Sequence, residues 1–322
     1  MELLTANPEN ILKAAGIIKT GGLVAFPTET VYGLGADGMN PIAAAKIFEA
    51  KNRPSFNPLI LHIAEKEWLE NICRVNNDLV HKLIDKFWPG PLTLVLPKKD
   101  TVPEIITAGN PTVAVRMPDH PVALELIKQA ATPVAAPSAN IFTKLSPTTA
   151  KHVAKQLGDR IDMILDGGKC QVGVESTIIS FENDTVYLLR PGGLPVEEIE
   201  IVTGKIMRKT ATEKPEAPGM LPFHYAPSVP IYFLDEIDPS KFEDKKTGAL
   251  FLREAHNIPG LFDSKILSSS GNLAEAAGSL FSALHDFENE EIEIIFAEKI
   301  DETGLGKAIM DRLQKAVKKY SL

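Results

Sequence analysis

The sequence predicts an α/β protein in two parts, a larger one on a mixed sheet and a smaller one on an open sheet, and three observations carry that prediction. Through residues 1 to 205, short runs of β-branched and aliphatic residues alternate with helical patterns. Late in that stretch strand-like runs outnumber helical ones, which favours a mixed sheet over a purely parallel one. A proline-rich break then precedes a second, shorter alternation of strand and helix.

The strand-like runs of the first part are, in order, GLVAFP (22–27), PLILHI (58–63), LTLVLP (92–97), TVAVRMP (112–118), TPVAAPS (132–138), MILDGG (163–168), STIISF (176–181) and VYLLRPG (186–192). Helices are expected at 41–51, 76–87, 119–130 and 147–157. Asn40 can cap the first, Pro41 suits its first turn and Pro54 forbids its continuation, while Ser146-Pro147 opens the last. Residues 208–230, RKTATEKPEAPGMLPFHYAPSVP, hold five prolines and read as a linker. Met220, Leu221, Phe223, His224 and Tyr225 are costly in a solvated tether, so its second half is expected to dock on something. The smaller part follows with strands at 230–234, 248–253 and 265–269, a helix at 272–288, a strand at 292–298 and a helix at 305–320. That order is one of an open, Rossmann-like α/β sheet. The expected division is a domain at 1–207, a linker or lid at 208–229 and a small domain at 230–322.

Composition narrows the function classes. Hydrophobic residues at 44% and charged residues at 24% describe a globular chain, and no apolar stretch approaches the roughly 18 residues that span a bilayer. The start, MELLTANPEN, lacks the basic region of a secretory signal, so a cytoplasmic location is expected and no membrane partner. Cys73 and Cys170 form no C-x-x-C, which removes zinc ribbons and disulfide frameworks and leaves buried spectators. A net charge of -8 opposes tight non-specific binding of nucleic acid, which needs a basic face.

The stretch AFPTETVYGLGADG (25–38) contains Gly33, Gly35 and Gly38 in G-x-G-x-x-G spacing, the spelling of a dinucleotide-binding turn. Its context is wrong. Five residues separate Pro27 from Gly33, and the position that should hold a ribose-binding acid falls in SFNP (55–58). The glycines are read instead as a tight turn leading to the helix at 41. GLGKA (304–308) lacks the remaining residues of a P-loop and reads as a helix start. There is no H-E-x-x-H or G-x-S-x-G, and the seven histidines never pair at metal-ligand spacing, so neither a metal centre nor a triad is expected.

Polar residues at strand ends are what remain. EAKNRPSFNPLILHI carries Lys51, Arg53, Asn57 and His62; Arg116 ends one run, Ser138, Asn140 and Ser146 follow another, Ser176 and Thr177 start a third and Arg190 ends a fourth. Each alone reads as a helix end, a cap or a satisfied core histidine. Together, arginines and a lysine among Ser, Thr and Asn make the composition of a polyphosphate cradle, because guanidinium forks and hydroxyls match phosphate oxygens.

VAFPTETVYGLGADG, KNRPSFNPLILHI, FWPGPLTLVL, TVAVRMPDHP, PSAN, SPTTAKHV, GVESTIISF and LLRPGG, in this order over residues 7 to 203, resemble the YrdC-like domain family. HYAP followed by a small α/β domain resembles the two-domain form of the L-threonylcarbamoyladenylate synthase family. The resemblance implies a curved mixed sheet with a basic cavity, and a reaction of L-threonine, bicarbonate or CO2, and ATP to threonylcarbamoyl-AMP and pyrophosphate. Its product would pass to a tRNA threonylcarbamoyl transferase partner that modifies the adenosine beside the anticodon.

By the same resemblance Thr30, His62, Arg116 and Ser176, with main chain near Ala136, hold L-threonine. Arg53, Asn57, Thr112, Ser138, Asn140, Ser146, Arg190 and Tyr225 hold ATP, with Lys51 facing the phosphates; Lys51 and Arg53 are the expected catalytic cations. Tyr225, with His224, would close over the nucleotide. Mg2+ would be carried by the ATP phosphates. From the residues, a non-catalytic RNA-binding, translation-associated protein remains an alternative; by the resemblance, so does a carbamoyltransferase, an activity of related domains.

Overall fold

The computed structural model describes the chain except residues 76, 184, 210–214, 222–223, 290 and 321–322. The first domain runs β1 (Glu2–Thr5), α1 (Pro8–Lys19), β2 (Val24–Phe26), β3 (Gly33–Asp37), α2 (Pro41–Lys51), β4 (Ile60–His62), α3 (Leu69–Ile72), α4 (Asp78–Phe87) and β5 (Leu92–Pro97). It continues with α5 (Glu104–Thr107), β6 (Thr112–Arg116), α6 (Pro121–Ala130), β7 (Val134–Ala135), α7 (Ala150–Leu157), β8 (Met163–Asp166), β9 (Thr177–Glu182), β10 (Thr185–Arg190), α8 (Val196–Thr203) and β11 (Met207–Arg208). The eleven strands form one sheet in the order β1-β8-β2-β3-β7-β4-β6-β5-β9-β10-β11. It is mixed, as expected: β4 and β6 pair in parallel, while β5 and β6 pair antiparallel.

Local chemistry sets the helix starts. Asn40 accepts from the amides of Ile42 and Ala43, Asn77 from Leu79, and Thr149 from His152. Thr149 therefore starts the helix expected from Ser146-Pro147, because the Ser146 hydroxyl is spent on Glu175. Helix α1 lies where the sequence patterns suggest no element, although Asn7 caps it and Ile11, Ala14, Ala15 and Ile18 make its buried stripe.

Gly33 and Gly35 correct a further expectation. They do not form a tight turn; they lie in β3, antiparallel to β2, with Val24 opposite Gly35 and Phe26 opposite Gly33. The turn is made earlier, where the Thr28 hydroxyl accepts from the amides of Thr30 (3.1 Å) and Val31 (3.3 Å) and donates to the Val31 carbonyl (2.7 Å). The glycines serve close packing: a Cβ on Gly35 would stand 2.7 Å from Phe26, and one on Gly38 would stand 2.4 Å from Leu61.

The second domain comprises β12 (Ile231–Phe233), β13 (Thr247–Phe251), β14 (Leu261–Ile266), α9 (Leu273–Asn289), β15 (Ile294–Ala297) and α10 (Gly306–Lys318). Its strands are parallel in the order β12-β15-β13-β14. β14 sits a few residues before the expected 265–269. It is a half-exposed edge strand, so its polar residues hide its pattern, and Ser268 instead caps the turn into α9 by accepting from the Asn272 amide.

The two domains share a core. Val31, Leu145 and Val174 of the first, together with Tyr225 and Ala226, pack among the buried residues of the second, such as Phe281 and Ile309. At one point backbone meets backbone, since a Cβ on Gly173 would stand 2.5 Å from the Cα of Gly278. Among the described residues, no helix is long and apolar enough to cross a membrane. Cys73 and Cys170 are buried free thiols, and burial pushes both up to about 12.

Candidate active site

Strand register gathers the site. His62 lies opposite Arg116 and Ile60 opposite Ala114 on neighbouring strands, and Val95 lies opposite both Ala114 and Ser180. Because side chains alternate between faces, these residues share one face of the sheet. One end of that face is polar, where β4 and β6 end at His62 and Arg116, β9 begins after Ser176, and β10 ends at Arg190. Its middle is an apolar floor of Ile60, Val95, Ala114, Ile178 and Leu189.

A cavity of about 40 Å³ sits over the polar end. It is lined by Thr30, His62, Arg116, Ala136 and Ser176, all expected against the amino acid, and by Arg53, Ser138, Arg190, His224 and Tyr225, expected against the nucleotide. Since one water molecule needs roughly 10–15 Å³ of such space, the cavity has room for only a few.

Arg116 is 4% exposed and donates from Nη1 to the Thr30 hydroxyl at 3.0 Å and from Nε to the Gly90 carbonyl at 3.3 Å. Its Nη2 stands 2.6 Å from Glu29 Oε1, yet neither atom meets hydrogen-bond geometry with a partner. The contact is thus an ion pair without hydrogen-bond geometry. His62 Nδ1, His224 Nδ1, Ser180 Oγ and both ends of the Asn57 amide are likewise buried without a hydrogen-bond partner. Buried polar groups are ordinarily paired, so those that line the cavity, His62, Arg116 and His224, suggest groups that a ligand or water completes. Burial, with Arg116 beside it, pulls the His62 imidazole down to about 3, so it is neutral at physiological pH.

Five expected residues lie outside the cavity lining. Lys51 is buried and donates from Nζ to the carbonyls of Ser138, at 2.5 Å, and Asn140. Burial, with Arg53 nearby, pulls its pKa well down. Asn140 accepts from the Ser138 hydroxyl and donates to the carbonyls of Ile141 (2.8 Å) and Lys144 (2.9 Å), which fastens the loop that Lys51 holds. Ser146 donates to Glu175. The main-chain carbonyl of Asn57 accepts from Arg53 Nε at 3.1 Å. Thr112 starts β6, about 13 Å of strand from Arg116 on the same face.

The break between the domains docks, as expected of its apolar residues. Ala217 and Met220 lie on the apolar floor, and the carbonyls of Pro215, Pro218 and Gly219 accept from Asn110, Arg190 and Lys315. Tyr225 is buried with a left-handed backbone, φ 62°, and its ring lies 4.1 Å from that of His224. Residues 210–214 and Phe223, part of the expected linker and lid, lie outside the described residues.

Glu175 was missed by sequence reasoning, although it stands beside Ser176 and lines the cavity. Its carboxylate takes the Ser146 hydroxyl and Arg312 Nε, the latter at 2.8 Å. The signal was present: Arg312 falls on the stripe Ile309, Leu313, Ala316 and Val317 that α10 buries, an unusual place for a charge. Among the described residues, no group of three or more His, Cys, Asp or Glu is arranged to hold a metal ion.

The family model described as telomere recombination matches residues 16–192, and the one described as threonylcarbamoyl-AMP synthase, C-terminal domain, matches residues 194–317. The threonylcarbamoyl-AMP synthase of Pyrococcus abyssi is 46% identical over 314 residues, covering 94% of this chain and 92% of its own. That of Bacillus subtilis is 44% identical over 330 residues, covering 97% and 94%. The crystal structure of P. abyssi Sua5 complexed with L-threonine superposes with a TM-score of 0.93 at 43% identity, covering 99% of this chain and 98% of that one.

Proposed function

This chain belongs to the threonylcarbamoyl-AMP synthase family, and on that premise we propose that its cavity joins L-threonine, CO2 from bicarbonate, and ATP into threonylcarbamoyl-AMP and pyrophosphate. The alternative of a non-catalytic RNA-binding module falls with that membership. The observation that carries the reading is Arg116, a buried cation in the cavity wall whose Nη2 faces Glu29 without hydrogen-bond geometry. A guanidinium so placed suits a carboxylate, which it can meet with two parallel hydrogen bonds. Thr30 and Ser176 would hold the rest of the amino acid, with neutral His62 near its amine.

The amine nitrogen bonds the carbon of CO2 and gives up a proton. A carbamate oxygen then attacks the α-phosphorus in line, the bond to the bridging oxygen of the β-phosphate breaks, and pyrophosphate leaves with that electron pair. No enzyme nucleophile is required. The protein contributes alignment of two anions and cations against the leaving group, here Arg53 and Arg190, with Lys51 fixing the loop that carries Ser138. Asn57, Thr112, Asn140 and Ser146 shape the nucleotide side. Mg2+ would arrive on the ATP phosphates and offset their charge, and the product's acceptor would be a transferase acting on tRNA in the cytoplasm.

The segment around Met220 and Tyr225 acts as a lid. With Ala217 and Met220 on the apolar floor, the space beside the cavity is filled by the chain itself, so ATP enters as this segment lifts. Closed, it keeps water from a mixed anhydride that hydrolyses readily. Pyrophosphate release measured with each substrate omitted in turn tests the assignment. Dependence on all three is expected, and equal turnover without any amino acid would refute it.

A further inference from the structure

We propose that Arg312, on α10 of the second domain, is a positioning residue for this site: it fixes and neutralises the Glu175 carboxylate in the cavity wall and backs the Tyr225 ring. The proposal rests on the reading of the cavity given above.

Arg312 is 1% exposed and reaches out of its own domain. Nε donates to Glu175 Oε2 at 2.8 Å, and Nη1 donates to the Pro191 carbonyl at 2.9 Å and to Asp311 at 2.7 Å. The guanidinium carbon lies 4.8 Å from the centre of the Tyr225 ring, within the range of a cation on an aromatic face. One turn further along α10, Lys315 donates to the Gly219 carbonyl at 2.7 Å. The same helix therefore touches the cavity wall and the backbone of the lid.

Charge explains why the wall needs this arginine. The cavity must admit a polyphosphate, and Glu175 is a carboxylate among its lining residues. Held beside Ser176 without a cation, it would repel phosphates across a low-dielectric gap where such repulsion is little screened. Burial alone would raise its pKa, but Arg312 and Arg190 outweigh burial and bring it to about 2, so the group is charged and needs its partner. Arg190 also supports the wall, donating from Nη2 to the Ser176 carbonyl at 2.8 Å, and it is the cation expected to meet the nucleotide. With Arg312 on Glu175, the charge of Arg190 is left for the incoming anion. A role in the reaction for the second domain follows from this contact.

Simple domain adhesion is the competing account, and variants of the full chain separate the two. In Arg312→Gln, the KM for ATP is expected to rise about tenfold or more while the KM for L-threonine moves far less. Adding Glu175→Gln should recover most of that loss, because the repelling charge is gone; adhesion predicts a further loss as a second contact disappears. A double variant no better than Arg312→Gln, or equal shifts in both KM values, overturns the proposal. Should Arg312→Gln fail to fold, Arg312→Lys and the double variant decide, since neither leaves Glu175 as an uncompensated charge. A KM for ATP within about threefold of wild type in both supports the proposal, and a tenfold rise in either overturns it.

Discussion

Replacing Arg116 by lysine separates what the guanidinium does for the substrate from what it does for the fold. Lysine keeps a cation against Glu29, which stands 2.6 Å from Nη2, but it cannot hold Thr30 and a carboxylate with parallel donors. Losing one hydrogen bond to a charged group costs about 1.5–3 kcal/mol. At about 1.4 kcal/mol per tenfold, L-threonine should bind roughly 10- to 150-fold more weakly to Arg116→Lys. Arg116→Gln removes the charge as well and leaves Glu29, 7% exposed, buried without its cation. Breaking such a pair costs about 3–5 kcal/mol of folding stability. Calorimetric titration with L-threonine and urea denaturation, run on both variants, read the two effects independently. Wild-type affinity in the lysine variant, or wild-type stability in the glutamine variant, would refute this account of Arg116.

Two further predictions concern the fold. Gly35→Ala places a Cβ 2.7 Å from Phe26 and 2.9 Å from Val134 and should destabilise by about 1–3 kcal/mol, whereas Gly16→Ala, in α1 with nothing within 4 Å, should stabilise by roughly 0.5–1 kcal/mol. Urea midpoints check both, and a tolerated alanine at 35 would undo the close-packing reading of the glycines. The second prediction concerns pH: His62 is held at about 3 against an ordinary value of 6.5, so below pH 6.5 the unfolded chain binds more protons than the folded one. Its contribution is complete above pH 6.5 and is lost by up to about 1.4 kcal/mol per pH unit on acidification through pH 5. His62→Gln should lose that part of the pH slope of unfolding; an unchanged slope would place the acid sensitivity elsewhere.

What could be read in the sequence follows how local its cause is. Strands and helices whose signals are runs, caps and prolines, such as β5 or α2 with Asn40, need only neighbouring residues, and they were legible. So were the polar strand ends His62, Arg116 and Ser176, because arginine and histidine against apolar runs stand out. β3 and the turn after it were misread since Gly35 answers to Phe26 and Val134 and Gly38 to Leu61, residues that only the sheet brings near. Arg312 on a buried stripe was a local sign that it has a partner, but its pairing with Glu175, 137 residues away, depends on where the second domain docks. Lys51 and Asn140 were expected at the site through the family resemblance but were not legible as loop fasteners, since that role depends on the path of the backbone at 138–144.

The contact of Gly173 with Gly278 has a mechanical consequence. Two backbones with no space for a methyl group between them lock the domains in register at that point, so on the reading proposed above the linker, not the second domain, is the part that moves. On the lid reading proposed above, admission of substrate would require detaching the carbonyls of Pro215, Pro218 and Gly219 from Asn110, Arg190 and Lys315. Lifting a docked lid takes microseconds to seconds. On that reading the site opens as its lid undocks, with the second domain staying in place.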